Sequence, residues 1–174
     1  MKNCFFIVLL FISCTGPINS WCSTNMQGIE IIYAPPSAEE FVALRAVAGL
    51  RERKIASAKK GIANSLFWIT LRKQGNLIGM GRVVGDGGTV VQITDIAITP
   101  EEQRKGYGTF IFNEIQEFIL REIPDDAFVC LFAEKAICPF YEAKGFKFSE
   151  EGWPGMFWSG ADRAARHNPL SQNL

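Results

Sequence analysis

Apolar and polar positions along the chain change period several times, and the sharpest change falls between Val90 and Arg121. Val90-Val91-Gln92-Ile93-Thr94-Asp95-Ile96-Ala97-Ile98 is rich in β-branched residues and predicts a strand. Thr99-Pro100 ends it, because proline cannot donate to a sheet ladder. Glu101 to Gly108 is polar and contains two glycines. Beyond it Phe110, Ile111, Ile115, Phe118 and Ile119 recur on one face of a predicted helix, with Asn113, Glu114, Gln116, Glu117 and Arg121 mostly on the other.

The same reading places elements on either side. Gly28 to Tyr33 alternates as a first strand, and Pro35-Pro36-Ser37 stops it. Ser37 with Glu40 three residues later predicts a capping box, and the helix behind it turns Phe41, Leu44, Val47 and Ala48 inward. A second helical segment spans Ile55 to Ile62. Leu66 to Leu71 and Leu77 to Val84 predict a hairpin around Lys73-Gln74-Gly75-Asn76, and Asp86-Gly87-Gly88 turns into the central strand. Gly79 and Gly81 leave one face of that hairpin bare, for close helix packing or for a ligand, packing being the commoner cause. After a stop at Ile123-Pro124-Asp125-Asp126, Ala127 to Phe132 has no alternation, as expected of a parallel-type strand covered on both faces. Lys135 to Phe146 predicts a short helix closed by Gly145. Phe148 leads into a further strand, and Met156-Phe157-Trp158 predicts the last one. The fold class is therefore α+β in an α/β/α layering, with a meander of antiparallel strands feeding the strand, loop and helix at the centre.

A glycine loop between a strand and a helix suits a phosphate, because the first helix amides lack internal partners and the helix dipole is positive there. Gly106 and Gly108 remove side chains that would hold a pyrophosphate off the backbone, and Arg104 and Lys105 add charge. The spacing discriminates among motifs. No GxxxxGK[ST] string is present, and Gly106-Tyr107-Gly108 is followed at the third place by Ile111, so GxGxxG is absent too. Gln103 to Gly108 is Gln-x-x-Gly-x-Gly directly after Ile96-Ala97-Ile98, and this resembles motif A of the GNAT acyltransferase superfamily. Pro139-Phe140-Tyr141-Glu142-Ala143-Lys144-Gly145-Phe146 is similar to motif B of that superfamily, so the resemblance covers roughly Ile29 to Trp158.

The resemblance implies a mixed, mostly antiparallel twisted sheet of six to seven strands with about four helices, splayed at the central strands. It implies acetyl-CoA as the acyl donor, with the amides of Arg104, Lys105, Gly106, Tyr107, Gly108 and Thr109 anchoring the pyrophosphate and Gln103 opening the loop. Ile96, Ala97 and Ile98 would bind the pantetheine arm as an added strand and polarise the thioester. Tyr141 is the candidate general acid, protonated at neutral pH and able to donate to a departing thiolate. For a base, Asp95 is the first candidate carboxylate, followed by Glu134 and Glu30, although Asp95 suits a structural ion pair equally well. The acceptor implied is a primary amine of a small molecule, or else of a peptide. A non-catalytic acyl-CoA-binding module, as sensor or scaffold, is the alternative.

Composition narrows this picture. A formal net charge of +0 offers no electrostatic case for nucleic acid or an anionic membrane surface. Arg51, Arg53, Lys54, Lys59 and Lys60 nevertheless gather in the second helical segment, as a solvated basic face or as a contact for an acidic acceptor. Cys130 and Cys138 with the distant His167 make no convincing metal set, so no metal is expected. Trp68, Trp153, Phe157 and Trp158 serve an acceptor pocket or the core. Lys2 followed by the apolar run Phe5 to Ile12 is too short to span a bilayer and has the proportions of a secretory signal. Because acetyl-CoA is cytoplasmic, the favoured organisation is a leader over 1–25, which an upstream-extended start would also produce. A cytoplasmic domain over 26–160 and a tail over 161–174 follow. Export or membrane association is the alternative, and the domain is expected as a monomer or homodimer.

Overall fold

A computed structural model of the chain describes residues 22–26 and 28–148. In chain order these form β1 (Cys22–Met26), β2 (Ile29–Ile32), α1 (Ala38–Val47), α2 (Ile55–Ala63), β3 (Phe67–Lys73), β4 (Asn76–Gly85), β5 (Val90–Ile98), α3 (Tyr107–Glu122), β6 (Phe128–Leu131) and α4 (Cys138–Glu142). Short 3-10 turns occupy Pro100–Glu102 and Lys135–Ile137. The chain divides after Phe132 into two units.

In the first unit the strands follow one another across a single sheet, β1-β2-β3-β4-β5-β6. Neighbours are antiparallel except β5 and β6, which are parallel. Strand pairing begins at Cys22, where it meets Ile32, so the stretch from Gly28 to Tyr33 forms the second strand and the sheet takes in residues assigned to the leader. The β3–β4 hairpin closes on Gln74 and Gly75, both left-handed at φ 51 and φ 81, the conformation that a two-residue turn matching strand twist requires.

Helices cover both faces. Gly79 and Gly81 face α3: a Cβ at Gly79 would come within 2.7 Å of Ile98, and one at Gly81 within 2.5 Å of Ile111. The bare face is therefore filled by helix packing. Met80 points the other way, into a core of Ala38, Phe41, Leu44, Ala58, Trp68 and Ala97 beneath α1 and α2. The α1 capping box forms, Ser37 Oγ accepting from the Glu40 amide at 3.1 Å and Glu40 accepting from the Ser37 amide at 2.9 Å.

Three sequence expectations change. Val47 is 57 % exposed, because α1 turns its core side through Phe41, Leu44 and Arg45 instead. The buried stripe of α3 is Tyr107, Ile111, Phe112 and Ile115, while Phe118 and Ile119 sit at its margin. Phe128 is 66 % exposed, so β6 is not covered on both faces among the described residues. The strands expected beyond Phe148, and the tail, lie outside the described residues.

In the second unit Lys135–Ile137 leads into α4, and Gly145 at φ 92 closes the helix as expected. The amides of Gly145 and Phe146 return to the carbonyls of Glu142 and Tyr141, satisfying the helix C-terminus.

Candidate active site

The site is built along β5. Near its start, Val91 to Ile93 is paired on both sides, to β4 and to β6, whose register runs from Val90↔Phe128 to Ile93↔Leu131. The β6 register ends at Ile93↔Leu131, yet β5 continues to Ile98 against β4. From Thr94 onward one edge of β5 therefore has no ladder partner among the described residues. This is the splay at the central strands, and Ile96, Ala97 and Ile98 lie within it.

A bulge marks the transition. Met80 pairs with Ala97 and Arg82 with Thr94, so Asp95 and Ile96 together oppose Gly81. Asp95 is left-handed at φ 56, a conformation that aspartate tolerates better than most residues. Its carboxylate enters the α1 layer and is almost fully buried there. Arg45 from α1 ion-pairs with one oxygen, and Arg82 Nε lies 2.5 Å from the other. Arg45 also donates to the carbonyl of Arg51 at 2.7 Å and 3.1 Å. Arg82 donates to the Gly61 carbonyl at 3.1 Å and to Ser65 Oγ at 3.0 Å. Both guanidiniums lie over the Phe41 ring, at 5.5 Å and 5.4 Å, and Arg82 also over Trp68 at 5.3 Å. Burial pulls Arg45 down to about 10, with the nearby charges of Arg53 and Arg82 adding to the effect, and burial lowers Arg82 too. Asp95 thus offers no free carboxylate beside the splay. Of the other two carboxylates considered, Glu30 is exposed on β2 and Glu134 is exposed ahead of the second 3-10 turn.

Past Ile98 the loop turns on its backbone. Gln103 Nε2 donates to the Ile98 carbonyl at 3.1 Å, tying the loop to the strand it leaves. Arg104 is left-handed at φ 60 and Gly106 at φ 87, and Gly106 is the N-cap of α3. The amides of Tyr107, Gly108 and Thr109 open the helix, where no earlier turn can accept from them. A Cβ on Gly106 or Gly108 would meet nothing within 4 Å, so the space those glycines face is open. An open cradle of helix amides fits a diphosphate. Earlier in the loop Glu102 is buried and bridges Lys73, at 2.7 Å, and Lys105, at 2.9 Å. Those two lysines hold the Glu102 carboxyl below its usual range, and Glu102 raises Lys73. Lys105 is thus a shared charge, while Arg104 is exposed.

Residues 63–148 match the family model for the acetyltransferase (GNAT) domain. A crystal structure of a protein of unknown function from meticillin-resistant Staphylococcus aureus, described as a probable acetyltransferase, is 37 % identical. It aligns over 75 % of this chain and 98 % of its own with a TM-score of 0.71. The chain belongs to the GNAT superfamily. Among curated GNAT relatives, an uncharacterized N-acetyltransferase ycf52-like protein of Prochlorococcus marinus is 33 % identical over 63 % of this chain and 62 % of its own length. The chloroplastic GCN5-related N-acetyltransferase 3 of Arabidopsis thaliana is 38 % identical over 49 % of this chain and 35 % of its own. The chain thus spans less than two thirds of the length of these relatives. Among the described residues, no helix is long and apolar enough to cross a membrane.

In the second unit Tyr141 lies on α4, with Phe140 and Phe146 rings at 5.0 Å and 6.3 Å. Burial raises its phenol, so it is protonated at neutral pH. Sequence reasoning missed Arg45, Arg82 and Lys73 altogether. Each reaches its partner from another element, and no local spacing marks such a pair.

Proposed function

We propose that the chain moves an acetyl group from acetyl-CoA to the primary amine of a small molecule or peptide. The observation that carries this reading is a strand edge left open from Thr94, ending in a glycine-started helix whose first amides face open space. In this reading the amides from Arg104 to Thr109 hold the pyrophosphate, and Gln103 fixes the loop that presents them. The pantetheine arm pairs with the open edge at Ile96, Ala97 and Ile98, and an amide there polarises the thioester carbonyl.

The amine nitrogen attacks that carbonyl and forms a tetrahedral intermediate. The carbon–sulfur bond then breaks, and Tyr141 gives its phenolic proton to the leaving thiolate. The amine sheds its own proton to water, since Asp95 is committed to Arg45 and Arg82. Asp95 is a positioning residue here, holding the bulge that sets Ile96 to Ile98. Because acetyl-CoA is the donor, the reading places the chain in a compartment that supplies it, the cytoplasm in the first instance.

The committed state of Asp95 also supports a second reading, an acyl-CoA-binding module without turnover. Incubating the full chain with acetyl-CoA and a panel of amines, and following free thiol, separates the two. Amine-dependent thiol release is expected. Calorimetric binding of CoA without any release would favour the module, and no binding at all would defeat both.

A further inference from the structure

The α1–α2 region concentrates charge that the rest of the chain does not share. Residues 51–60 hold Arg51, Arg53, Lys54, Lys59 and Lys60 against the single acid Glu52, in a chain whose formal net charge is +0. All six side chains are exposed. Lys59 finds Glu39 at 3.6 Å, but Arg51, Arg53, Lys54 and Lys60 have no carboxylate within salt-bridge distance among the described residues.

This segment is pinned at both ends. Arg45 grips the carbonyl of Arg51 at its start, and Arg82 grips the carbonyl of Gly61 at its close. The same two guanidiniums hold Asp95, the residue immediately before Ile96. The basic segment is therefore fixed, through one buried cluster, to Asp95 on β5, beside the strand edge where the proposed function seats the thioester. The cluster itself is short of negative charge, with two guanidiniums on one carboxylate. The field of Arg53 further disfavours the charge on both. An anion nearby would relieve that imbalance.

We propose that the segment from Arg51 to Lys60 recruits an acceptor bearing negative charge, an amine with carboxylate groups close to the nitrogen that is acetylated. The inference rests on the acetyltransferase reading and deepens it. Small amino acids and acidic peptide N-termini share this chemistry.

The test uses the full chain saturated with acetyl-CoA. L-Glutamate and a short peptide with acidic residues behind a free amino terminus are compared with their carboxamide counterparts. At low salt the acidic member of at least one pair is expected to show about tenfold higher kcat/KM, the size of one or two partly screened charge contacts. The preference should shrink as ionic strength rises, and the favoured pair distinguishes small acceptor from peptide. The double variant Arg53→Gln/Lys54→Gln should lower the acid-to-amide ratio about fivefold, whereas Arg121→Gln on α3 keeps it. Equal or reversed preference in both pairs overturns the proposal, as does a double variant that weakens CoA binding itself. If no amine releases thiol, the transferase reading fails separately, and calorimetry of the same ligands on CoA-loaded protein decides this one. Salt-sensitive binding of the acids sustains it, and binding of neither acid defeats it.

Discussion

Past the end of β5 the loop takes its shape mainly from local backbone conformation, whereas three residues before that end Asp95 hangs on side chains drawn from two other elements. The loop from Gln103 to Gly108 needs glycine at a left-handed helix cap and open space beyond it, and Gln103 ties it back to its own strand at the Ile98 carbonyl. The bulge needs Arg45 from α1 and Arg82 from β4, each further tied to the α1–α2 segment. The first region keeps a surface free for a ligand, while the second spends its polar groups on the fold. The two should therefore fail differently.

The largest effect belongs to the bulge. Asp95→Ala leaves two buried guanidiniums without their carboxylate, and removing one partner of a buried ion pair costs about 3–5 kcal/mol. Denaturant unfolding should show that loss. Combining Asp95→Ala with Arg45→Met should recover part of it, because a guanidinium no longer sits unpaired. Additive losses in the double variant would mean that the two residues do not act as a unit.

Tyr141 belongs to neither region. If it only donates a proton, Tyr141→Phe keeps the fold and the affinity for acetyl-CoA while kcat falls about a hundredfold. The acid limb of chemistry also has a pH signature. Because burial raises the phenol, it stays a proton donor through neutral pH, so the loss of rate from its ionisation falls on the alkaline side, while protonation of the attacking amine lowers the rate in acid. Unchanged kcat in the phenylalanine variant would reduce Tyr141 to a packing ring.

These differences track what could be read in advance. Gln103, Gly106 and Gly108 were legible because their roles follow from positions a few residues apart, and backbone conformation is a local property. The order of β2 to β5 was legible for the same reason, since each of these strands pairs with its sequence neighbour. Gly79 and Gly81 posed a choice that only packing resolved, through Ile98, Ile111 and Ile115. The partners of Asp95 were hidden: Arg82 is 13 residues away and Arg45 further still, and nothing in their local sequence marks them as buried. Phe112 was missed because Tyr107, one turn before Ile111 on the same buried side, belonged by polarity to the loop, which shifted the apparent stripe of α3. β1 escaped notice because Cys22 to Met26 shows no alternation, and its pairing to β2 carries a register shift.

The loop should fail by losing ligand rather than stability. A β-branched residue cannot hold φ 87 without strain of about 1–2 kcal/mol, so Gly106→Val should redirect the first amides of α3. About tenfold weaker binding of CoA by calorimetry is expected, with unfolding displaced far less than in Asp95→Ala. A large stability loss with intact CoA affinity would reverse the contrast between the two regions.

Burial, rather than the arginine–carboxylate pairing itself, should explain why the bulge matters so much, and Glu40 allows that to be isolated. Like Asp95 it takes two guanidinium contacts, from Arg72 at 2.6 Å and 3.0 Å, and it caps α1 through the Ser37 amide at 2.9 Å. The difference is exposure: the Glu40 side chain is 35 % exposed, against 4 % for Asp95. The Arg72 contact, opposed by burial and aided by the Ser37 bonds, holds the Glu40 carboxyl at about 2 instead of 4.5. A depressed carboxyl binds protons more readily in the unfolded chain, so its contribution is complete above pH 4.5 and fades as pH falls toward 2. Solvent screening keeps that contribution below about 1 kcal/mol. Glu40→Gln should therefore flatten the acid limb of the stability profile between those pH values and cost little at pH 7. If it proved as destabilising at pH 7 as Asp95→Ala, burial would not be what separates the two pairs, and the bulge would lose its special standing.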